Sequence, residues 1–285
     1  MPAGPVVWPG GARAAASFTF DVDAESGLLF ADASSAGRMS VMSHQAYGPL
    51  VGVPRLLALL ARQNLRATFF VPGFTADRWP DALRAIVDAG HEVAHHGYLH
   101  ETLTGIDPVA EAAILDRGVD ALERITGTRP TGYRAPMWEL TWDSPRLLVE
   151  RGFRYDSSLM DADVPYRLAV GDDSLVELPV QWALDDWEQY CYVPDLSGSG
   201  LIESPTKALE IWTLELDALH SEGGLFVHTS HPFLSGRPSR ARALEQLVER
   251  AADYSDLWLA PLGEIAAHVE TLNLLPRTIS KPTGF

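Results

Sequence analysis

The chain has few of the features that would commit it to a nucleic acid, a membrane surface or a disulfide framework. Lys207 and Lys281 are its two lysines, and 22 basic residues stand against 38 acidic ones in 285 residues, for a net charge of −16. Because affinity for a phosphate backbone depends mainly on Lys and Arg, this composition argues against nucleic-acid and anionic membrane partners. Cys191 is the single cysteine, which excludes an intrachain disulfide and a cysteine-based zinc site.

Long apolar runs and a basic leader are also missing. No stretch of about 18 apolar residues could span a bilayer. Residues Met1 to Gly11 contain three prolines and no basic residue, unlike a secretory signal. We therefore expect a soluble cytoplasmic protein, and the 46% of hydrophobic residues suffices for a sizeable core.

Short β-prone segments alternate with amphipathic helical segments along most of the chain. Strands are predicted at 17–20, 67–71, 92–94, 132–134, 153–155, 175–178, 225–228 and 257–259. Helices are predicted at 53–61, 80–89, 108–126, 145–151, 205–221, 240–252 and 262–271, and a loop, from which a lid or rim could form, from about 26 to 47. This alternation predicts an α/β fold with parallel pairing, as a closed or nearly closed barrel of about seven or eight units. We expect one domain over 1–285 with its core at about 14–272, and a doubly wound open sheet is the alternative. Glycine-rich phosphate loops are absent, so no dinucleotide cofactor is expected.

Two aspartates directly follow the first predicted strand. Residues two apart in a strand point to the same side, so the carboxylates of Asp21 and Asp23 can leave the strand end together. Two such carboxylates repel each other unless a cation lies between or beside them. The Asp-x-Asp pattern alone is as typical of turn or capping residues as of a metal site.

His96 and His100 supply the residue types that would complete a metal site with Asp23. Their spacing of four suits one helix face, although Gly97 between them equally suits a tight loop. Two histidines and one carboxylate leave positions open for water and substrate, as catalytic metal sites do. Zinc suits the nitrogen ligands, and cobalt, nickel, manganese and iron accept the same ligand types. His95 is the alternative ligand.

Other strand ends carry the groups that amide or ester hydrolysis requires. A base must take a proton from water and an acid must protonate the leaving atom. Asp21 is the expected base, Arg134 can hold it ionised, and His231 is the expected acid. Asp156 could raise the pKa of His231 by pairing, but an Asx-turn with the serines after it is at least as typical. A packing histidine is the alternative for His231.

These residues stand in motifs that resemble a known family. The motifs are Thr19-Phe-Asp-Val-Asp23, His96-Gly-Tyr-Leu-His100, Arg134-Ala-Pro-Met-Trp138 and the strand into His231. In this order they are similar to the motifs of polysaccharide deacetylases (NodB-homology, carbohydrate esterase family 4), over about residues 17–270. The resemblance implies a distorted, TIM-like (β/α)7–8 barrel and metal-dependent hydrolysis. It gives Asp23, His96 and His100 to the metal, Asp21 to the base, Arg134 to its support and His231 to the acid.

The chain also departs from the family pattern in three places. Its carboxylates are spaced Asp-x-Asp instead of adjacent, Gly97 replaces Ser or Thr, and Trp138-Glu139 stands where an aromatic alone is usual. Trp138, Glu139 and Asp156 are candidates for substrate contacts or for support of the site. Several segments resemble a cytoplasmic branch of peptidoglycan-deacetylase-like, allantoinase-like and cyclic-imide-hydrolysing proteins that form homo-oligomers: 21–25, 90–93, 96–101, 155–160 and 177–186.

We therefore expect a metal-dependent hydrolase of non-peptide C–N bonds, acting on an N-acetyl sugar or a small cyclic amide. A non-catalytic carbohydrate- or metal-binding protein on the same barrel is the alternative. A haloacid-dehalogenase-type phosphatase also begins with Asp-x-Asp, but it would leave the three site histidines unused. The aromatic-rich segment with Trp182, Trp187, Tyr190 and Tyr192 can contact a substrate, although packing under a loop or at a subunit contact is more typical.

Overall fold

The computed structural model describes residues 6–193 and 202–284, and strands and helices alternate through both ranges. The strands are β1 (Ala14–Asp21), β2 (Thr68–Val71), β3 (Glu92–His95), β4 (Gly132–Tyr133), β5 (Tyr155–Asp156), β6 (Tyr166–Val170), β7 (Asp173–Glu177), β8 (Leu225–Ser230) and β9 (Leu257–Leu259). The helices are α1 (Ser26–Ala31), α2 (Met39–Tyr47), α3 (Val53–Arg62), α4 (Gly73–Arg78), α5 (Pro80–Asp88), α6 (Pro108–Thr126), α7 (Ser144–Glu150), α8 (Trp187–Tyr190), α9 (Pro205–Glu222), α10 (Pro232–Ser235), α11 (Pro238–Ala252) and α12 (Leu262–Thr271).

One sheet links all nine of these strands, in the order β6-β7-β5-β4-β3-β2-β1-β8, with β9 paired to β1. Every pairing is parallel except the β6–β7 hairpin. Each residue of β1 is buried, as expected of a strand covered on both faces. The α/β fold with a parallel sheet is thus confirmed.

The barrel is distorted where its two ends meet. At one end of the sheet is the β6–β7 hairpin and at the other is β8. Between these ends, within the described residues, there are an isolated bridge from Asp185 to Thr229 and a hydrogen bond of 2.8 Å from the Leu225 N–H to the Asp163 carbonyl, but no regular strand pairing. The β6–β7 hairpin, which the sequence did not predict, occupies the far edge. The sheet therefore curves around the strand ends without closing through a regular pair of strands.

Helix α6 shows how local sequence sets the element boundaries. The Asp107 side chain accepts hydrogen bonds from the backbone N–H groups of Val109 and Ala110, and Pro108 occupies the first helical position. Gly127 ends the helix with a φ of 73°, which glycine adopts without a side-chain clash. The helix buries its apolar side against β3 and β4, and so fixes the strand that leads into the His95–His100 segment.

The segment 26–47, predicted to be a loop, is instead largely helical. It contains α1, a 3-10 turn and α2, and a π-helical turn over Gly48–Gly52 continues into α3. Its Ser, Gly and Ala content suggested a loop because these residues give little helical periodicity. The turn packs against the chain after His231, where a Cβ on Gly52 would lie 2.1 Å from the Pro232 carbonyl oxygen. This segment therefore forms a wall beside the strand ends.

Within residues 6–193 and 202–284, none of the helices has both the length and the apolar character to cross a membrane.

Candidate active site

The carboxyl ends of β1, β3, β4 and β8 bring the predicted polar residues together. Asp21 ends β1, His96 follows β3, Arg134 follows β4, and His231 follows β8. Asp21, Asp23, His96, His100, Arg134 and His231 are all buried. The carboxyl ends of parallel strands lie at the same end of the barrel, so side chains distant in sequence meet there.

The intervening Val22 separates the two aspartates without parting their side chains. Its N–H donates to the Phe70 carbonyl over 2.8 Å, and its side chain is buried in the apolar core. Asp21 and Asp23 consequently face the same side, as the strand period requires. The Asp23 carbonyl accepts from the hydroxyls of Ser26 and Thr75 over 2.6 and 2.8 Å, which fixes its backbone.

Asp23, His96 and His100 point their donor atoms at one place. Asp23 Oδ1 lies 3.6 Å from His96 Nε2, and Asp23 Oδ2 lies 3.5 Å from His100 Nε2. Ligand atoms held at ~2.0–2.1 Å by a tetrahedral zinc ion are roughly 3.3–3.4 Å apart. The spacing of these three side chains therefore suits a divalent metal ion.

The protonation of the histidines also suits a metal. His96 Nδ1 lies 2.8 Å from the Arg134 carbonyl oxygen and must donate to it, which leaves Nε2 with a free lone pair. Burial lowers the pKa of His96, so the ring is neutral. Asp23 Oδ1 is buried with no hydrogen-bond partner among the described residues. A buried carboxylate oxygen without a donor is costly, and a cation would satisfy it.

The His96–His100 segment is a tight loop, as one of the two sequence interpretations held. Gly97 has a φ of 72°, and a Cβ there would meet the Glu101 carboxylate at 3.1 Å. The Tyr98 N–H donates to the same carboxylate over 2.9 Å. The glycine that departs from the family pattern thus permits a turn that returns His100, with a φ of 60°, to His96.

Arg134 holds one of the two carboxylate oxygens of Asp21. Its Nη1 donates to Asp21 Oδ1 over 2.8 Å and to Thr19 Oγ1 over 2.9 Å. Its remaining nitrogens donate to the carbonyl and hydroxyl oxygens of Ser157, both over 3.1 Å, and the guanidinium stacks on Phe70 at 4.1 Å. Asp21 Oδ2 is left facing His96 Nε2 at 3.8 Å.

His231 also reaches Asp23, with its Nε2 3.5 Å from Asp23 Oδ2. Its Nδ1 lies 2.7 Å from Asp186 Oδ1, and Asp185 is 3.5 Å away. Although burial lowers the pKa of His231, the carboxylates of Asp185, Asp186 and Asp23 raise it well above its usual range. Burial and the Asp186 charge raise the pKa of Asp185 to about 7.

Asp185, Asp186 and His231 form a second group with the residue types of a metal site. The hydrogen bonds of Asp186 show instead that it orients the His231 imidazole. Asp186 Oδ1 also accepts from the His231 N–H over 2.9 Å, and its Oδ2 accepts from the N–H and hydroxyl of Ser235. Sequence reasoning gave these aspartates no role, although an Asp-Asp pair in the aromatic-rich segment was a visible signal. The interpretation from the sequence that Asp156 pairs with His231 is wrong, because Asp186 occupies that position.

Asp156 instead belongs to a buried carboxyl pair in the sheet. Its Oδ1 accepts from the Ser158 hydroxyl over 2.8 Å, close to the Asx-turn alternative. Burial raises the pKa of Asp156 to about 6 and, together with the Asp156 charge, raises that of Glu177 well above its usual range. Asp156 Oδ2 and Glu177 Oε2 have no other partner among the described residues, so a protonated Glu177 donates to Asp156.

The remaining candidates divide between the site and its surroundings. Trp138 is buried at the site and stacks on Trp182, with ring centroids 4.4 Å apart. Glu139 is exposed and does not line the two cavities beside Asp23 and His100, so its site role stays a prediction. Both nitrogens of His95 are used, by the Leu115 carbonyl and the Gly97 N–H, and burial lowers its pKa to about 3. It is not a ligand.

The aromatic-rich segment contributes to both site and core. Trp182 and Trp187 line the space around Asp21, Asp23 and His231. Tyr190 is buried in the apolar core, and Tyr192 is largely exposed.

The fold places Asp21 and His231 beside Asp23, His96 and His100, three side chains whose spacing could hold a metal ion. Comparison with known proteins identifies the family. The profile described as polysaccharide deacetylase matches residues 41–155. The Helicobacter pylori peptidoglycan deacetylase is 32% identical over 278 residues, which cover 88% of this chain and 94% of that protein.

Solved structures agree. A Mycobacterium smegmatis protein described as a polysaccharide deacetylase is 59% identical, with a TM-score of 0.98 and 99% coverage of both chains. The Puue allantoinase is 27% identical, with a TM-score of 0.82 and 93% coverage of both chains. The chain belongs to the polysaccharide deacetylase family, a family of deacetylase-like hydrolases.

Proposed function

We propose that this protein is a metal-dependent hydrolase of a non-peptide C–N bond, with Asp23, His96 and His100 as ligands. One observation carries the proposal: the unpartnered Oδ1 of Asp23 faces a histidine nitrogen that its own hydrogen bond leaves free. What a divalent cation supplies at such a site is Lewis acidity, which lowers the pKa of water and polarises an amide carbonyl. Nitrogen ligands favour zinc.

Asp21 is the base in this proposal. Its Oδ1 is occupied by Arg134, so Oδ2, the oxygen that faces the ligand group, is the one free to take a proton. Arg134 prevents rotation of the carboxylate, because its other donors are tied to the chain around Ser157. The base is therefore oriented before the substrate arrives.

His231 is the acid. Asp186 holds its Nδ1–H and stabilises the imidazolium, and Nε2–H lies beside Asp23 in the space that Asp21 also lines. In the reaction a C–O bond forms and the C–N bond breaks. One proton passes from water to Asp21, and a second passes from His231 to the leaving nitrogen.

Three substitutions test the roles. We expect His96→Ala to lose both metal and activity, and Asp21→Asn and His231→Ala to keep the metal while kcat falls by ~10²–10⁴. Metal content is measured by mass spectrometry. Hydrolysis is measured on chito-oligosaccharides, succinimide, hydantoin and allantoin.

His220→Ala is the control, since this histidine pairs with Asp256 outside the site. Full metal loading with unimpaired activity in His96→Ala would overturn the proposal. A protein that binds a ligand but hydrolyses nothing in wild-type form would favour the non-catalytic alternative.

Three further expectations stay predictions. Light scattering in solution tests the homo-oligomer, and limited proteolysis tests whether residues 1–285 behave as one domain. Fractionation of cells tests the cytoplasmic location.

A further inference from the structure

A cavity of about 360 Å³ opens beside the proposed metal ligands. Asp23 and His100 form part of its wall, and so do Met137 and Trp187, which also line the narrower space around Asp21 and His231. A substrate whose carbonyl lies at the ligand group would therefore place one of its substituents in this cavity.

The rest of the wall is mainly apolar. Leu28, Phe30 and Ala31 come from the segment that the sequence predicted to be a loop, and Ala24 lies just before it. Leu28 is buried, whereas Phe30 is 40% exposed and lies at the mouth. Apart from the metal ligands, the polar side chains of the wall are Gln45 and Thr102.

Gln45 places one buried polar side chain in this wall. Its side chain is 3% exposed, and its Nε2 has no acceptor among residues 6–193 and 202–284. Buried donors without a partner are rare in folded proteins and are commonly paired by a ligand or an ordered water.

Resting on the function proposed above, we propose that this cavity binds an apolar substituent of a small amide substrate, and that it selects such amides over glycan chains. A dry cavity of roughly 150 Å³ is enough to hold a benzene ring. The volume of this one therefore accommodates a ring or a short alkyl chain with room to spare.

A sugar residue fits the same wall poorly. Each of its hydroxyl groups loses water on entering the cavity and needs a hydrogen-bond partner in exchange. Gln45 and Thr102 are too few for a pyranose ring, whereas an apolar group needs no partner and gains from leaving water.

The test compares two hydroxamates that share the metal-binding group and differ in the substituent. Binding of acetohydroxamate and cyclohexylacetohydroxamate to the zinc-loaded protein is measured by calorimetry. We expect the cyclohexyl compound to bind at least about tenfold more tightly, because it buries apolar surface. Phe30→Ala and Leu28→Ala should reduce this ratio to below about threefold. Trp142→Ala, an exposed aromatic that lines a different cavity, should leave it unchanged.

A second measurement uses turnover. Ammonia release from cyclohexylacetamide should exceed acetate release from chitotetraose by at least about tenfold in kcat/KM, and the reverse order would overturn the inference. Equal affinities of the two hydroxamates, or a ratio that the Phe30 and Leu28 variants leave intact, would overturn it as well. Failure of the protein to take up zinc would instead refute the proposed function.

Discussion

Replacing Glu177 with glutamine should stabilise the protein at neutral pH. Glu177 is fully buried, and its Oε1 accepts from the N–H groups of Ser158 and Leu159 over 3.2 and 3.0 Å. Its other oxygen carries the proton donated to Asp156. A glutamine amide can keep both arrangements, because its oxygen accepts from the two N–H groups and its nitrogen donates to Asp156.

The gain comes from a proton that the folded wild type must hold. Burial and the Asp156 charge raise the pKa of Glu177 well above its usual range, so the folded state keeps a proton that the unfolded state releases. Stability from this group is complete below the unfolded pKa of ~4.3 and is lost as pH rises, by ~1.4 kcal/mol per pH unit. At pH 7 the cost reaches up to ~3.7 kcal/mol, of which we expect Glu177→Gln to recover ~1–3 kcal/mol.

Urea unfolding, followed by tryptophan fluorescence between pH 6.5 and 8.5, measures the effect. Asp156 is mostly ionised over this range, since its pKa is about 6. The difference in unfolding free energy between Glu177→Gln and wild type should grow with pH, by at most ~1.4 kcal/mol per pH unit. A difference independent of pH, or a variant less stable than wild type at pH 7.5, would refute the shared proton.

Glu177→Leu is the matched control. It removes the same titration, but it leaves the Ser158 and Leu159 N–H groups without an acceptor and Asp156 without the donor that lowers its pKa. Each unpaired N–H costs ~1–3 kcal/mol, so this variant should be less stable than wild type at pH 7. The pH dependence of the unfolding free energy in Glu177→Gln therefore reports the proton on Glu177. The difference in unfolding free energy between the Gln and Leu variants at pH 7 reports the hydrogen bonds.

Three other outcomes are expected. Asp186→Asn should lower kcat by ~10²–10³ without loss of metal, because His231 loses the carboxylate that holds its Nδ1–H; an unchanged kcat would contradict that role. Gly52→Ala should destabilise the protein by more than ~2 kcal/mol, since its Cβ would lie 2.1 Å from the Pro232 carbonyl oxygen, whereas Gly37→Ala meets no atom within 4 Å and should be neutral. Removal of metal with a chelator should lower Tm, reversibly on addition of zinc, if Asp23 is left unpaired in the apo protein.

The fold was predictable because its determinants are periodic and local. The amphipathic pattern of α3 and the Asp107, Pro108 and Gly127 boundaries of α6 are visible in the sequence. Segments without such a period were not predictable. The β6–β7 hairpin and the helices within 26–47 depend on contacts with distant parts of the chain, such as Gly52 against Pro232.

The sequence motifs contain the residues that meet at the strand ends. They do not identify all the residues that support those side chains. Arg134 was placed beside Asp21 correctly, since both belong to strand-end motifs whose convergence the barrel predicts. Asp156 was one candidate partner of His231, beside the Asx-turn alternative, because it also ends a strand. Which carboxylate reaches an imidazole, however, depends on the path of the chain after β7, and that path brings Asp186 to within 2.7 Å.

A series of hydrogen bonds nevertheless links Glu177, through the turn that contains Ser157, to Arg134 and Asp21. Glu177 fixes the N–H groups of Ser158 and Leu159, and Ser157, in the same turn, accepts from Arg134 through both its carbonyl and its hydroxyl. Arg134 in turn holds Asp21. A change at Glu177 that displaces the turn should therefore reach Asp21 without touching the metal ligands. Glu177→Leu should lower kcat at full metal occupancy, while Glu177→Gln should leave kcat near the wild-type value. Equal kcat in both variants would show that Arg134 is oriented without the turn.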